Sequence, residues 1–599
     1  CNYFRLHERT FQFINPNDIE MLFLKSKDNL SFKFDFSLYK TSSDDVYDEY
    51  SENDDVVDDD YSHNAIQLHY VKNQSIFKKI PGNPFAFWLS KNMFAAFEGK
   101  HLNDYSNCCT GMHTGNNDKF VRYWFEVNFM QTSIIKETGK YKRYNCGGDS
   151  RKWYGNHWNV INWGSDGKEI RNEKSSVIRN ERFFGEEGIS WKRIGSKDNY
   201  FRYLPKDFIF DQSGDSMFPF DKNKLFYLLG FLNSIVAKNA LKAIAPTINL
   251  TAGNMSKLPI IYSENALIES AVEENIKISK FEWDSYETSW DFTRNALLSQ
   301  NKSSVKDAFI IWESITKNNF EIVKSNEINL NKHFIKIYSL EDELEPDVSD
   351  KDVIYRIAEL KESIKELISY AVGCMFGRYS LDVEGIVYAG GEWVDDKYKT
   401  FLPDKDNCIP ITDEEYFEDD IVGLFVAFVK KVYGIETLEE NLDFIAKALG
   451  NKGDTSREVI RNYFVKDFYK DHLKIYQKRP IYWLYDSGKQ DGFKALIYMH
   501  RYNADTTGIV RVDYLHKMQK IYMGEIDRMQ DMVENSTQAR EISQAEKRKE
   551  KLIKQLKETK EYDEKIAHIA LSRIDIDLDD GIKVNYEKVQ TGQDGKKFN

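Results

Sequence analysis

Residues 110–260 constrain the fold most, because Gly, Asn and Asp interrupt this stretch at short intervals. It opens with TGMHTGNNDKF at residues 110–120 and closes with NMSKLPI at 254–260. Short strand-like runs such as residues 207–210 alternate with turn-forming residues, a pattern typical of a loop-rich α+β module. Leu and Val at helical spacing predict an amphipathic helix over residues 225–244.

The chain is too long for a single hydrophobic core. It has 599 residues, and single cores stop growing at about 250–300 residues. The predicted fold class is α+β and multidomain: a loop-rich domain, then a mostly helical C-terminal region with a long helical arm. The predicted units are residues 1–104 with an acidic loop, the loop-rich domain 105–262, a helical linker 263–345, an α+β domain 346–512, and an arm and tail 513–599.

Local patterns predict the main elements outside the loop-rich domain. Strand-like runs occur at residues 11–14 and 31–39, and DSGKQDG at 486–492 predicts a hairpin turn. The charged, proline-free residues 513–570 predict an antiparallel helical arm. Helices are predicted over residues 84–98, 353–372, 419–433 and 456–466.

Cysteine usage and hydropathy exclude two classes of protein. The six cysteines have no zinc-binding spacing and are too few for a disulfide framework, so no metal site is predicted. The longest apolar run, residues 421–429, is far shorter than the roughly 20 residues that cross a bilayer, which predicts no membrane association. A reducing cytoplasm is the predicted location.

Because the chain begins with Cys1 and not Met, we expect its start to be a truncation.

The charge distribution matters more than the net charge. A net charge of −13 argues against nucleic acid. However, residues 44–60 hold ten acidic side chains and no basic one, whereas residues 136–206 hold 16 Lys and Arg against 9 Asp and Glu. A basic segment within an acidic chain is what a phosphate-binding surface requires.

A Gly/Asn turn near residue 115 supplies the first candidate DNA contacts. Its amides and the two cations that follow could surround a phosphate; the alternative is an ordinary turn with a solvated basic face. The candidate residues are Thr114, Asn116, Asn117, Lys119 and Arg122.

Basic and aromatic residues alternate after residue 140 and supply the second set of candidates. Arg and Lys pair with phosphates or guanine edges, and Trp can stack on a base. The alternative is an aromatic core with the aliphatic stems of basic residues around it. The candidates are Lys142, Arg143, Arg151, Lys152 and Trp153. Reversing Arg143, Arg151 and Lys152 to Glu is predicted to weaken DNA binding and flatten its salt dependence.

A nuclease-like pattern is present, but its periodicity argues against a nuclease. Pro346-Asp347 and Glu359-Leu360-Lys361 imitate a PD…ExK site. Glu359 and Lys361 fall within the predicted helix 353–372, where residues two positions apart point in different directions. The chain also contains no Gly-rich loop for nucleotide phosphates.

Several long strings resemble one family, the PglX-type adenine-specific DNA methyltransferases of bacteriophage-exclusion (BREX) systems. Residues 110–260 resemble the target recognition domain of adenine-specific DNA methyltransferases. The other strings are NCGGDSRKWY at 145–154, ISYAVGCMFGRYSLD at 368–382, PITDEEYFEDD at 410–420, FVKDFYKDHLKIYQKRPIYWL at 464–484, GFKALIYMHRY at 492–502 and LDDGIKVNY at 578–586.

The resemblance implies DNA recognition by this chain and catalysis elsewhere. In the family, an N-terminal part binds S-adenosylmethionine and carries an Asn-Pro-Pro-Tyr motif that grips a flipped adenine. This sequence has GNPF at residues 82–85 and no second Pro, so no catalytic residue is assigned and activity of this chain alone is not expected. Residues 1–104 would be the tail of the catalytic domain, and 105–262 the target recognition domain.

The resemblance also implies partners. Double-stranded DNA and other subunits of the phage-defence complex are the expected ones. A different class of function, a protein-interaction scaffold without direct DNA readout, is favoured by the acidic residues 413–420 and the helical arm.

Overall fold

A computed structural model describes residues 2–4, 16–30, 32–34, 66–67, 69–195, 200–450 and 452–591. The predicted run at 11–14, most of the run at 31–39 and the acidic residues 44–60 lie outside these ranges. No helix in the described ranges combines the length and the apolar character that crossing a membrane requires.

The N-terminal strands are short, with two or three residues each. Strands β1 and β4 pair antiparallel, as do β2 and β3. The helix predicted over 84–98 is shorter than expected, because the Ser90 side chain accepts from the Met93 amide and begins the helix there. The elements are β1 (Asn2–Phe4), α1 (Pro16–Asp28), β2 (Lys33–Phe34), β3 (Ile66–Gln67), β4 (His69–Val71) and α2 (Lys91–Ala96).

The loop-rich domain contains two four-stranded sheets. One has the order β10-β9-β12-β5 and the other β11-β7-β8-β6, with β11 and β7 parallel. The elements are β5 (Ser106–Cys109), α3 (Asn117–Phe120), β6 (Val121–Tyr123), β7 (Tyr141–Asn145), β8 (Asn159–Asn162), α4 (Gly164–Asn172), β9 (Gly188–Trp191), β10 (Phe201–Leu204), β11 (Phe208–Phe210) and β12 (Ser216–Pro219).

The predicted helix at 225–244 is two helices, α5 (Leu225–Leu232) and α6 (Ile235–Ile244). Ser234 interrupts the helical run because its hydroxyl caps the second helix, accepting from the Ala237 amide at 3.3 Å. The short helix α7 (Ala252–Met255) follows.

Long helices occupy the middle of the chain, where a helical linker is predicted. These are α8 (Ala266–Asp284) and α9 (Val305–Ile337), and α10 (Leu360–Met375) follows in the predicted α+β domain. Helix α10 begins later than the predicted helix at 353–372, because Val353 and Tyr355 pack before it in non-helical backbone. Glu359 therefore lies at the N-cap, outside the helix.

The C-terminal region confirms the predicted hairpin and arm. Strands β14 and β15 pair antiparallel from Tyr482↔Tyr498 to Asp486↔Lys494, and α16 and α17 reverse direction within three residues and pack together. The elements are β13 (Ile409–Pro410), α11 (Ile421–Tyr433), α12 (Leu438–Leu449), α13 (Ser456–Tyr463), α14 (Tyr469–Ile475), β14 (Tyr482–Asp486), β15 (Lys494–Tyr498), α15 (Thr506–Ile509), α16 (His516–Asn535), α17 (Ala539–Ser572) and α18 (Gly581–Gln590).

The apolar cores cross the predicted domain boundaries. The largest cluster joins Trp124 and Phe218 of the loop-rich domain to Tyr482 and Tyr562 of the C-terminal region. A second joins Phe77 to Leu228 and Phe334. The α+β, multidomain fold class is confirmed, whereas the boundaries at 104, 262, 345 and 512 stay predictions.

Candidate nucleic-acid interface

The two sheets of the loop-rich domain are joined by a buried polar centre. Asn145, the last residue of β7, donates through Nδ2 to Ser190 Oγ on β9 at 2.7 Å. Its Oδ1 accepts from Arg202 Nη2 on β10 at 3.1 Å. All three residues are buried, and an unpaired amide or guanidinium in that position would be costly. The centre therefore fixes one sheet against the other.

Four loops meet at the edge where β7, β9 and β11 end, and we name them the four-loop edge: residues 147–150, 192–195, 212–214 and 246–249. The Gly147 amide donates to Ser213 Oγ at 3.1 Å, and the Arg193 amide to the Ser213 carbonyl at 3.0 Å. The Gly195 amide donates to the Ile248 carbonyl at 3.0 Å. No sequence pattern indicated this edge, since its loops are distant along the chain.

The predicted Gly/Asn turn folds as a turn with exposed polar residues. Gly115 has a φ of +77°, and a Cβ there would lie 2.8 Å from the Ser176 amide. Asn116 accepts from the Lys119 amide at 3.0 Å and so caps α3. Asn116, Asn117 and Lys119 are exposed, whereas Thr114 is buried and donates to Asn117 Oδ1. DNA contact by these residues stays a prediction.

Arg122 is buried and holds the C-terminal segment. Its Nη2 donates to the carbonyls of Asp579 at 3.0 Å and Asp580 at 3.2 Å, and its Nη1 to that of Asp118 at 2.6 Å. The neighbouring Lys140 pairs with the Asp579 carboxylate. The Arg122 guanidinium is therefore engaged within the chain, which speaks against the phosphate contact predicted for it.

Arg151, Lys152 and Trp153 face the chain interior. Arg151 Nη1 lies 2.5 Å from Glu282 Oε2, and Lys152 Nζ lies 2.7 Å from Glu327 Oε2. Trp153, which is 0% exposed, donates from Nε1 to Glu327 Oε1 at 2.8 Å. These contacts attach the loop-rich domain to α8 and α9. DNA contact by the three residues stays a prediction, and their burial favours the core alternative.

Lys142 and Arg143 on β7 are half-buried. Arg143 Nη1 lies 3.6 Å from Asp207 Oδ2, and its guanidinium lies over the Trp290 ring. Lys142 donates to the Glu137 carbonyl. Both side chains retain solvent access, so their predicted DNA contacts remain open.

The structure explains part of the basic surplus in residues 136–206. Lys140, Arg151, Lys152 and Arg202 bind acceptors inside the chain. The exposed cations of the segment that form no ion pair with a described residue are Lys136, Lys168, Lys174, Arg179, Arg182, Lys192 and Lys206. Together with the half-buried Lys142 and Arg143, these side chains remain available to phosphates.

The chain is similar in sequence to two known methyltransferases over most of its length. The chain matches no family model. It is 41% identical to the adenine-specific methyltransferase PglX of Lacticaseibacillus casei (strain Zhang) over 548 residues, 87% of this chain and 46% of that protein. It is 36% identical to the adenine-specific methyltransferase BrxX of Escherichia coli O9:H4 (strain HS) over 571 residues, 89% of this chain and 47% of that protein.

The chain belongs to the PglX family. It spans about half the length of the curated relatives that it matches.

The strings that carry the PglX resemblance in the C-terminal region form a buried polar core. Arg378, 0% exposed, donates to Tyr498 Oη at 3.0 Å and to Tyr379 Oη at 3.2 Å. His472 Nε2 accepts from the Tyr482 amide at 3.1 Å, and burial, together with nearby Arg378, lowers the pKa of His472 to about 3. A neutral, enclosed His suits a packing role, so this part of the PglX resemblance marks the core.

One carboxylate cluster was missed by sequence reasoning, which predicted no metal site. Asp404, Asp406 and Asp419 place one oxygen each within 4.8 Å of the others. Tyr514 Oη lies within hydrogen-bonding distance of the carboxylates of both Asp406 and Asp419, and burial, with neighbouring Asp406, raises the pKa of Asp404.

Asp215, just before β12, gives a pH-dependent prediction. Its Oδ2 accepts from the Ala252 amide at 3.0 Å, and burial raises its pKa from 3.8 to about 6. The folded state therefore binds the extra proton between about pH 4 and 6, and the stability contribution of Asp215 falls as pH rises through that window.

We expect Asp215→Asn to raise the free energy of unfolding by about 1–2 kcal/mol at about pH 8 and to change it little at about pH 4, because the amide carries no charge to desolvate. Thermal midpoints at both pH values measure this. An equal shift at both would show that the effect is not due to ionisation.

Proposed function

We propose that this chain is the DNA-reading part of an S-adenosylmethionine-dependent methyltransferase that modifies N6 of adenine in a phage-defence (BREX) system. The observation that carries the proposal is the 41% identity to the adenine-specific methyltransferase PglX across 87% of the chain. In this proposal the loop-rich domain, residues 105–262, holds the duplex and selects the sequence in which an adenine is methylated.

The described residues do not fit S-adenosylmethionine itself. Nucleotide-type cofactors bind where a parallel strand ends in a Gly-rich turn and a helix begins. The parallel pair β11 and β7 of the loop-rich domain lacks this arrangement, because β7 is followed by a long loop and β8, and β11 by a short loop and β12. We therefore propose that the cofactor binds outside the described residues, and we assign these residues no chemical step.

The domain supplies what a duplex-binding module needs: a rigid base that carries polar loops. The Asn145–Ser190–Arg202 centre fixes the two sheets against each other, so the loops at their ends are held at fixed separations. Exposed cations such as Lys168, Lys174 and Arg179 would then contribute sequence-independent phosphate attraction.

The 599-residue chain is expected to bind duplex DNA with an affinity that falls steeply as salt rises. Fluorescence anisotropy with a labelled random-sequence duplex, at salt concentrations from about 50 to 200 mM, gives the slope of log affinity against log salt. A negative slope of several units supports the proposal. Absence of binding at about 50 mM salt would refute DNA reading by this chain.

A second candidate function is a scaffold for other subunits of the defence complex. The arm favours it, because the α16–α17 hairpin presents the half-exposed Met523 and Met532, and Met-rich surfaces are common in binding sites. Retention of other defence subunits by the intact chain, and their loss when Met523 and Met532 are changed to Lys, would support this role.

A further inference from the structure

The four-loop edge is rigid although it consists of loops. Gly147 has no room for a side chain, because a Cβ would lie 2.5 Å from the Ser213 carbonyl oxygen. Gly148 has a φ of +65°, and a Cβ there would lie 2.6 Å from the Asn156 side chain. The Leu250 amide donates to the Arg193 carbonyl at 2.8 Å, which ties the last loop to the second. Loops held in this way present their side chains in a fixed arrangement.

Two large apolar side chains project from this edge and contribute little to the core. Ile194 is 56% exposed and Ile248 is 58% exposed. They lie on adjoining segments, because Ile194 pairs with Asn249 in a β-bridge and the Gly195 amide donates to the Ile248 carbonyl. Single exposed apolar residues are common on proteins, but a neighbouring pair on rigid loops forms a small apolar contact surface.

Polar and cationic groups surround this pair. Lys192 is exposed and forms no ion pair with a described residue. Arg193 is half-exposed, and Ser213 and Asn249 are exposed. The edge thus combines the Lys192 and Arg193 cations, the exposed Asp149 carboxylate, hydrogen-bonding groups and methyl groups. Duplex DNA offers the complementary set: phosphates, base-edge donors and acceptors, and the C5-methyl group of thymine in the major groove.

We infer that the four-loop edge contacts the major groove of duplex DNA, with Lys192 at a phosphate and Ile194 and Ile248 against thymine methyl groups. The inference rests on the proposed function and deepens it. Ser213 and Asn249 complete the contact by hydrogen bonds to base edges. Neither Trp153 nor Lys152, which are both buried, takes part in it.

The phosphate contact is tested with Lys192→Ala in the full chain. Its affinity for a random-sequence duplex is expected to fall about three- to tenfold, and its salt slope to shrink by about 1, since one phosphate contact is lost. Lys470→Ala is the control: Lys470 is an exposed lysine on α14 whose Nζ lies 3.2 Å from Asp467 Oδ1. It should leave both quantities unchanged.

The methyl contact is tested by comparing duplexes that contain thymine with duplexes that contain uracil, which lacks the methyl group. Duplexes enriched by the wild-type chain from a random pool serve as the probe. The wild-type chain is expected to bind the uracil form about fivefold more weakly, and Ile194→Ala and Ile248→Ala to reduce that difference. Ile435→Ala, at a side chain that is 56% exposed away from the edge, is the control.

The outcomes separate this inference from the proposed function. If the wild-type chain binds duplex DNA but Lys192→Ala and both Ile variants behave as wild type, the four-loop edge is not the contact, whereas DNA reading stands. If the wild-type chain binds no duplex, the proposed function fails and the inference fails with it. Unchanged thermal midpoints confirm that each variant is folded.

Discussion

Lys152→Met is expected to lower the stability of the chain by about 3–5 kcal/mol, because it leaves a buried carboxylate without its cation. The Lys152 and Glu327 side chains are only 8% and 3% exposed, and their charged atoms lie 2.7 Å apart. Met keeps the length of the Lys stem, so the lost charge dominates the effect. The midpoint of thermal unfolding, followed by tryptophan fluorescence, measures it.

Glu327→Gln combined with Lys152→Met is expected to recover part of this loss. The Gln carbonyl can still accept from Trp153 Nε1, a bond of 2.8 Å in the wild type, and the carboxylate that needed a cation is gone. The double variant should bind duplex DNA with the wild-type salt slope. If the double variant is folded but its salt slope for DNA binding is smaller by about 1, Lys152 is a phosphate contact after all.

Asp420→Ala should destabilise the C-terminal region by a similar amount, about 3–5 kcal/mol. Asp420 is 0% exposed and accepts from Arg461 Nη1 and Nη2, both at 2.8 Å. It also caps α11, accepting from the Val422 amide at 3.1 Å and the Gly423 amide at 3.3 Å. The substitution removes the carboxylate that pairs with the Arg461 guanidinium. It also removes the acceptor of two helix amides.

A matched pair on the same helix provides the control. Arg457, one turn before Arg461 on α13, makes an equally direct two-bond contact with Glu439, at 2.7 and 2.8 Å. These side chains are 47% and 67% exposed, so Glu439→Ala should cost far less stability than Asp420→Ala, because solvent screens the exposed pair. Stability is measured as the shift of the thermal midpoint. Equal losses for Asp420→Ala and Glu439→Ala would show that burial does not determine how much each ion pair contributes to stability.

Sequence patterns predicted the elements that depend on local interactions. The hairpin at β14 and β15 and the arm of α16 and α17 follow from turn residues and apolar spacing, and both are confirmed. Helix boundaries were less accurate where a side chain caps a helix. Ser234 divides one predicted helix in two, and Ser90 delays the start of another.

The candidate site was harder to predict because charge does not reveal a partner. Arg151 and Lys152 contribute to the basic surplus, yet their carboxylate partners lie 131 and 175 positions further along the chain. Local spacing carries no information about Glu282 or Glu327. The four-loop edge was not predicted for the same reason: its loops are distant along the chain, and tertiary hydrogen bonds bring them together.

The central claim is that this chain selects the DNA sequence in which a PglX-family enzyme methylates adenine. The most direct test maps N6-methyladenine at single-base resolution in DNA from cells that produce the complete protein containing this chain, and in cells from which it is deleted. We predict N6-methyladenine at one short sequence in cells that produce the complete protein, and its loss in cells from which that protein is deleted. An unchanged methylation pattern after the deletion would contradict the claim.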